Sequence, residues 1–520
     1  MQLRSVSRTN KSVSITLPAP IKGLNVRDSL AQMDVSYAIT MDNYIPLDTK
    51  VALRPGYVKY VPTDDPVYTL KEYRKGDYSQ FLAISGGKLW NISSKNNAYI
   101  CNNNVQFTED RCQTVQYKNY LYFLNGIDTP KVYYVDDDNH EHFADWSFSG
   151  NGLVAENLIA GSVSKQRLWF VEKNSLKVWY PQTAGNISGT LQCFDLAQVS
   201  RFGGKLIAVA NWTQDGGQGI DDLTAFITSE GEALIYSGSD INNVDDWKLR
   251  GSYKISRPIG YNCLMPYQGD VVIISEDGYI PLSDALPLDQ ANSSQIAFSD
   301  AIRGLVLQRT AQNAKQPGGQ GIIYGRGGYG IFNVPVANQF EQHVINVNTG
   351  AWCRFTNIRS LCWSEFNGRM YFGSADGIYL FDEGYSDNGT KICGEIEQAF
   401  NNLGTDNIKK IQLLNPRTKS SAKFALVIYT NMDMEKRSID YEESIGNSGL
   451  TKWNSAKWST TVRPIGTKWG ISGGTAIRSQ WIANSSTGYK ASIVFKTKTQ
   501  GNRIEWYETG VRYEPGSGVL

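Results

Sequence analysis

Three histidines, His140, His142 and His343, are all that 520 residues contain, which leaves little imidazole for acid–base or metal chemistry. Cysteine is equally unhelpful as a framework. The seven thiols, at 101, 112, 193, 263, 353, 362 and 393, are odd in number and irregularly spaced, so they fit neither a disulfide scaffold nor a paired zinc site. Charge of one sign is missing too: 51 basic against 50 acidic side chains give nothing to draw the whole protein onto nucleic acid or an anionic membrane. Any nucleic-acid contact is therefore local or geometric. No stretch approaches the roughly 20 apolar residues that span a bilayer, and the first twenty residues lack the apolar core of a signal peptide. The expectation is a protein without a membrane segment, made in a reducing cytoplasm.

Catalytic motifs are also scarce. Gly325, Gly327 and Gly330 match a Gly-x-Gly-x-x-Gly fingerprint, but the chain runs on into Ile-Phe-Asn-Val-Pro, a strand and not the helix whose N-terminus would cradle phosphate. His140 and His142 lie in an acidic turn with Asp136 and Asp138, which reads as a solvated loop more readily than as a metal grip. The carboxylate pairs Asp221–Asp222, Asp245–Asp246 and Glu442–Glu443 are adjacent, so in extended segments their side chains face opposite ways. The Asp box of sialidase-type propellers is absent; Ser374-Ala-Asp-Gly-Ile-Tyr comes nearest and puts Gly377 one residue early. No catalytic, cofactor-binding or metal-binding residues are assigned, and the chain reads as a non-enzyme.

What the chain does have is a recurring hairpin. Six times an apolar, β-branched or aromatic run stops at a short turn and restarts, from Phe81, Leu121, Leu168, Ala225, Val271 and Met370. The turns centre near Gly86, Gly126, Asn174, Gly231, Gly278 and Gly377, giving intervals of 40, 48, 57, 47 and 99 residues. Most intervals hold about four short strands. A β-propeller of about six blades follows, because a hairpin alone leaves its apolar face and edges open, whereas radial stacking covers the faces and protects the edges. The last interval is double the others, so the sixth blade is split or enlarged, or a seventh is present.

Four zones result in an all-β chain. Residues 1–20, rich in Ser, Thr, Arg and Lys, form a short flexible or docked N-terminal arm. Residues 21–66 are a lead-in module in which Asp34 caps a short helix through Tyr37, Ala38 and Met41. Residues 67–384 are the propeller, with a helical insertion near 298–314 where Ser299 caps a stripe of Ile302, Leu305 and Val306. Residues 385–520 are a C-terminal β-sandwich-like domain. It carries a Trp-rich stretch with Trp453, Trp458, Trp469 and Trp481, which serves packing or, alternatively, a stacking platform for glycan.

Several ordered segments carry a resemblance. The run from Phe194 through Asp215-Gly-Gly-Gln-Gly to Asp240, its continuation from Trp247 to Ser283, His343–Thr356 and Met370–Ile392 are similar to a family of tailed-phage virion proteins. The opening Gly23–Tyr57 and the closing Val511–Leu520 resemble the ends of that family, so the likeness covers most of the chain in order. The family is the nozzle of the short podovirus tail, also called tail tubular protein B or packaged-DNA stabilisation protein.

That resemblance implies a structural part of a phage tail, a virion protein made in the host cytoplasm. It implies a homohexameric ring below the tail adaptor and, through it, the portal, with tail fibre or needle proteins as further partners and genomic DNA passing through. Asp215, Gly216, Gly217, Gly219 and Asp222 recur in it as Asp-Gly-Gly-x-Gly-x-x-Asp; physically they read as a glycine turn fixed by carboxylates, with subunit contact or channel gating as the other use. The competing expectation is a tail-associated glycan-binding adhesin or depolymerase that uses the Trp-rich domain.

Overall fold

The hairpins fold as their alternation demands. The computed structural model describes residues 12–215, 220–243, 245–267, 269–285, 298–313, 317–337, 339–422, 424–437 and 476–516. Within them the chain divides into two units, one of residues 59–344 and 357–382, the other of residues up to 58, 345–356 and 383–520.

The first unit is the β-propeller. Each hairpin read from the sequence sits in its own antiparallel blade, beginning with Thr69–Lys75, Tyr78–Ser85, Lys88–Asn91 and Tyr99–Ile100. The second blade is Gln113–Tyr117 to Glu141–Asp145, the third Leu158–Ser164 to Gly189–Asp195, the fourth Leu206–Asp215 to Lys248–Lys254, and the fifth the three strands Leu264–Tyr267, Asp270–Ser275 and Gly278–Pro281. The double interval holds a further sheet of Gln320–Tyr324, Tyr329–Val336 and Gln339–Asn346, which occupies its own place in the ring. The last hairpin forms Cys362–Phe366, Arg369–Ser374 and Gly377–Phe381, and its outer edge is covered by Tyr57–Pro62 from the start of the chain. Each innermost strand contacts the next blade, and Cys362–Phe366 returns to Thr69–Lys75, so the ring closes.

Blade faces bury each other. Between the third and fourth blades, Trp169 stacks on Trp247 with centroids 5.8 Å apart, while Phe226 and Tyr236 complete the layer. Aromatic packing of this sort adds about 0.5–1.5 kcal/mol per pair beyond area burial. The turn that joins the second and third strands of the first blade, Gly86–Gly87, has φ of 61° and 72°, the left-handed pair that a type I′ hairpin requires. Near the expected insertion Asp300–Ile302 is 3₁₀ and Arg303–Asn313 is α-helical, with Ile302, Val306 and Thr310 buried on one face. Ser299 does not cap it; its hydroxyl accepts the Tyr279 N–H at 2.9 Å.

The second unit has two sheets. One runs Trp352–Phe355, Gly23–Leu24, Tyr37–Asp42, Ile392–Gln398, Ala491–Thr499 and Ala425–Met432. In the other, Lys409–Ser420 and Ile504–Pro515 are central, flanked by Ala476–Ser479, Ile482–Gly488, Val13–Pro18, Val51–Leu53 and Tyr44–Pro46. The sheets meet where Phe495 stacks on Trp506 at 4.5 Å and the Tyr44 hydroxyl shares a 2.6 Å hydrogen bond with that of Thr497. The C-terminal β-rich region is thus joined by segments from the start of the chain: Val13–Pro18 pairs antiparallel with Glu508–Tyr513.

One local reading fails. The segment read as a helix capped by Asp34 is the strand Tyr37–Asp42; the Asp34 carboxylate instead accepts the Ser36 N–H at 2.8 Å in a turn. Ala38 and Met41 are both fully buried three residues apart because the register against Ile392–Gln398 shifts between Ala38 and Thr40. An irregularity of that kind mimics helical spacing.

A buried ion pair binds the three chain segments of this unit. Arg54 is wholly enclosed and meets Asp387 through two hydrogen bonds of 2.8 and 2.7 Å. Its Nε donates to the Asn43 side-chain carbonyl at 2.7 Å, and a remaining N–H reaches the Thr356 carbonyl at 3.3 Å. Asn43, at φ 58°, also accepts the Thr356 N–H and donates to Thr356 Oγ1 and the Cys393 carbonyl.

Candidate functional site

The strands on either side of the glycine-rich motif are the longest pair of the propeller among the described residues. Leu206–Asp215 and Ile220–Thr228 pair in register up to Asp215 opposite Ile220, with Thr213 opposite Asp222. The backbone of Asp215 and Asp222 thus belongs to two facing strands. Gly216, Gly217 and Gly219 lie outside the described residues, as do Trp453, Trp458 and Trp469. Trp481 is described, and it is 45% exposed on the strand-rich unit; Tyr489, 56% exposed, lies at the opposite end of the strand Ile482–Gly488.

A cavity of about 250 Å³ opens among the inner ends of the blades of the propeller. Tyr68, Arg111, Gln113, Asn262, Gln320 and Leu361 are among its walls, all far apart in sequence. Arg111, just before the innermost strand of the second blade, lays its guanidinium over the Tyr68 ring, 4.7 Å from the centroid. Burial pushes its pKa down, a sign of a cation that is poorly compensated. Gln320 is anchored by both ends of its amide to the Trp363 backbone, at 2.9 Å each. Gln113 and Asn262 have side-chain amides without a hydrogen-bond partner among the described residues. Two further cavities, of about 370 and 380 Å³, continue along the inner strands and share Gln113 and Asn262 with the first. Spaces of this size suit a small ligand or a side chain. A DNA duplex, with grooves alone about 6–12 Å wide, does not pass through them.

This mouth was not found by reading the sequence. Tyr68, Arg111, Asn262 and Leu361 come from four different blades or their leads, and no local motif marks them; only ring closure brings them together. Two other features that stand out in the sequence lie in turns of the propeller. The Gly325–Gly330 segment spans the turn between Gln320–Tyr324 and Tyr329–Val336, and a Cβ at Gly327 would stand 2.5 Å from the Tyr324 and Tyr329 rings. Asp136 caps its own turn: its carboxylate accepts the N–H groups of Asp138 and His140 and lies 2.9 Å from His142 Nε2. The His142 hydrogen bond and the His140 N–H bring the pKa of Asp136 down to about 2. Among the described residues no group of three His, Cys, Asp or Glu side chains is placed to hold a metal ion, and no helix is long and apolar enough to cross a membrane.

No protein-family model matches the chain, and no curated protein does. Solved structures are similar only in part. Saccharomyces cerevisiae Sqt1 is 9% identical with a TM-score of 0.37, over 63% of this chain and 99% of that one. The computationally designed Ika8 protein is 11% identical with a TM-score of 0.34, over 62% and 99%. BBS1N, solved in complex with ARL6DN, is 12% identical with a TM-score of 0.37, over 63% and 97%. Likeness at this level carries no functional argument.

Proposed function

We propose that the chain is a structural component of a short-tailed phage virion, the nozzle subunit of a homohexameric ring through which genomic DNA is retained and then ejected. The observation that carries this reading is the ordered resemblance running from Gly23 through the Asp215–Asp222 motif to Val511–Leu520. Two physical features support it. A closed propeller leaves edges only at the innermost and outermost strand of each blade and suits a wall under pressure. A formal net charge of +1 on 520 residues suits a conduit along which a polyanion slides without being held.

In this reading DNA runs between copies, since the cavities inside one propeller are far too small. The ring seats on the tail adaptor and, through it, the portal; fibre or needle proteins attach to it, and the protein works in the virion without enzymatic activity. Electron microscopy of the protein mixed with its adaptor tests the assembly. A six-fold ring of roughly 350 kDa with an open axis is expected for six chains of 57.9 kDa; single copies or trimers away from the DNA axis end the nozzle reading.

One observation favours a second reading, a tail-associated adhesin or depolymerase that binds glycan: the Trp481 side chain is 45% exposed on the strand-rich unit. Sugar binding that disappears in Trp481→Ala, by a protein that forms no ring, would decide for it.

A further inference from the structure

The mouth of the propeller holds a cation without a counterion. Among the described residues no carboxylate pairs with the Arg111 guanidinium; its contacts are the Tyr68 ring and, through the backbone N–H, Glu109 Oε1 at 3.4 Å. No acidic residue lines the cavity of about 250 Å³ that Arg111 enters. Other enclosed basic side chains are paired or donate to carbonyls: Arg54 meets Asp387, Lys131, 6% exposed, meets Asp145 at 2.6 Å, and the buried Arg167 and Lys409 donate to backbone carbonyls, whereas half-buried Arg111 has neither. Enclosing a charge without a partner is costly, so such a group marks a place where the partner comes from outside.

The surroundings specify the partner further. Tyr68 holds one face of the guanidinium, so its edges, with their fork of N–H donors, are what remain to bind; that geometry matches a planar carboxylate. Gln113 and Asn262 offer amides with no other hydrogen bond, and Ile259, Pro317 and Leu361 provide apolar walls for the carbon atoms behind the anionic group. The deeper cavity carries Lys71 together with Glu72 and Glu365, so it has both signs and does not favour an anion. Of the three adjoining cavities, only the one at the mouth has a cation and no carboxylate in its walls.

We infer that the mouth of the propeller channel is a binding site for a carboxylate, held by the Arg111 guanidinium between Gln113 and Asn262. The same chemistry comes from a free organic acid or from an acidic side chain of a polypeptide inserted into the mouth. The site does not depend on the ring assembly and stands even if the chain never forms a hexamer.

Isothermal titration of the full chain with succinate, and separately with a capped Gly-Glu-Gly peptide, tests it. Saturable binding of at least one probe is expected, weakened on the order of tenfold or more in Arg111→Met, as loss of a charge-assisted hydrogen bond implies. The tighter probe identifies the source. Should Arg111→Met fold poorly, the wild-type protein supplies the same answer. Phenylglyoxal labels arginine, and mapping of the labelled peptides is expected to show Arg111 protected by the probe. Absence of binding by both probes up to about 10 mM, or labelling of Arg111 that neither probe alters, overturns the assignment.

Discussion

Replacing Arg54 by methionine removes the one cation that makes Asp387 tolerable in the interior of the strand-rich unit. Arg54 is 0% and Asp387 6% exposed at the side chain, so water cannot take over the carboxylate when the guanidinium goes. Asp387 loses two hydrogen bonds, the Thr356 and Pro55 carbonyls each lose a donor, and Asn43 keeps only the Thr356 N–H as partner for its carbonyl. Breaking a buried pair on one side costs about 3–5 kcal/mol. For a unit of this size that lowers the melting temperature by roughly 6–20 °C. Differential scanning calorimetry of wild type, Arg54→Met and the double variant Arg54→Met with Asp387→Leu separates the terms. The single variant is expected to lose most of this stability and the double variant to recover much of it, because an apolar pair of similar volume carries no uncompensated charge. Loss of under about 1 kcal/mol in the single variant would falsify the claim that this pair holds the three segments together.

Three further perturbations probe other links. Burial opposes ionisation of Glu232, but donors from Ser200, Ser252, Arg201 and Phe202 outweigh it and hold its carboxyl below the usual range. A depressed native pKa contributes stability above the unfolded value near 4.3–4.5 that is lost as pH falls through the native value. Glu232→Gln should therefore flatten the acid limb of urea stability between about pH 5 and 3, and an unchanged slope refutes it. Burial pushes the Cys193 thiol up as it does those of Cys112, Cys263, Cys353 and Cys362, but Cys193 is the only exposed cysteine and access decides; a thiol reagent on the native protein should give one fast equivalent, lost in Cys193→Ser. A Cβ on Gly56 would stand 2.1 Å from the Ser386 carbonyl oxygen, so Gly56→Ala should cost about 1–3 kcal/mol by chemical denaturation.

The propeller was legible because its signal is local and repeated. Each hairpin declares itself through a two-residue or short turn between runs of alternating burial, as in Ser85–Lys88 and Ser374–Gly377, and repetition at near-constant spacing implies stacking. The interval between Gly278 and Gly377 departs from the repeat for a physical reason: its strands carry a Gly-rich turn at 325–328 and follow a helix, so neither spacing nor pattern matches the others. The strand-rich unit was legible only in its C-terminal part. Its partners Tyr44–Pro46 and Val51–Leu53 are three residues each and fully buried, too short for a period to show. The channel mouth was invisible for the same reason at larger scale, because Tyr68, Arg111, Asn262 and Leu361 are brought together by ring closure and by nothing in their local sequence.

The composition change near Gly384 suggests a C-terminal domain starting at 385, yet the strands say that such a piece cannot stand alone. Isolated, residues 383–520 would keep Ile392–Gln398, Lys409–Ser420, Ala425–Met432, Ala491–Thr499 and Ile504–Pro515. They would lose Tyr37–Asp42, which pairs with Ile392–Gln398, and also Val13–Pro18 and Val51–Leu53, which pair with Ile504–Pro515. Two long edges would open, Asp387 would lose Arg54, and the layer of Phe495 and Trp506 would lose Tyr44. Exposed edges of that length favour association over folding. The fragment is expected to be unfolded or aggregated by circular dichroism and gel filtration. Adding a peptide of residues 12–58 should restore strand content if those contacts supply the missing stability. A monomeric fragment with a cooperative melt and dispersed amide signals would show instead that the N-terminal strands only decorate a fold that is complete without them.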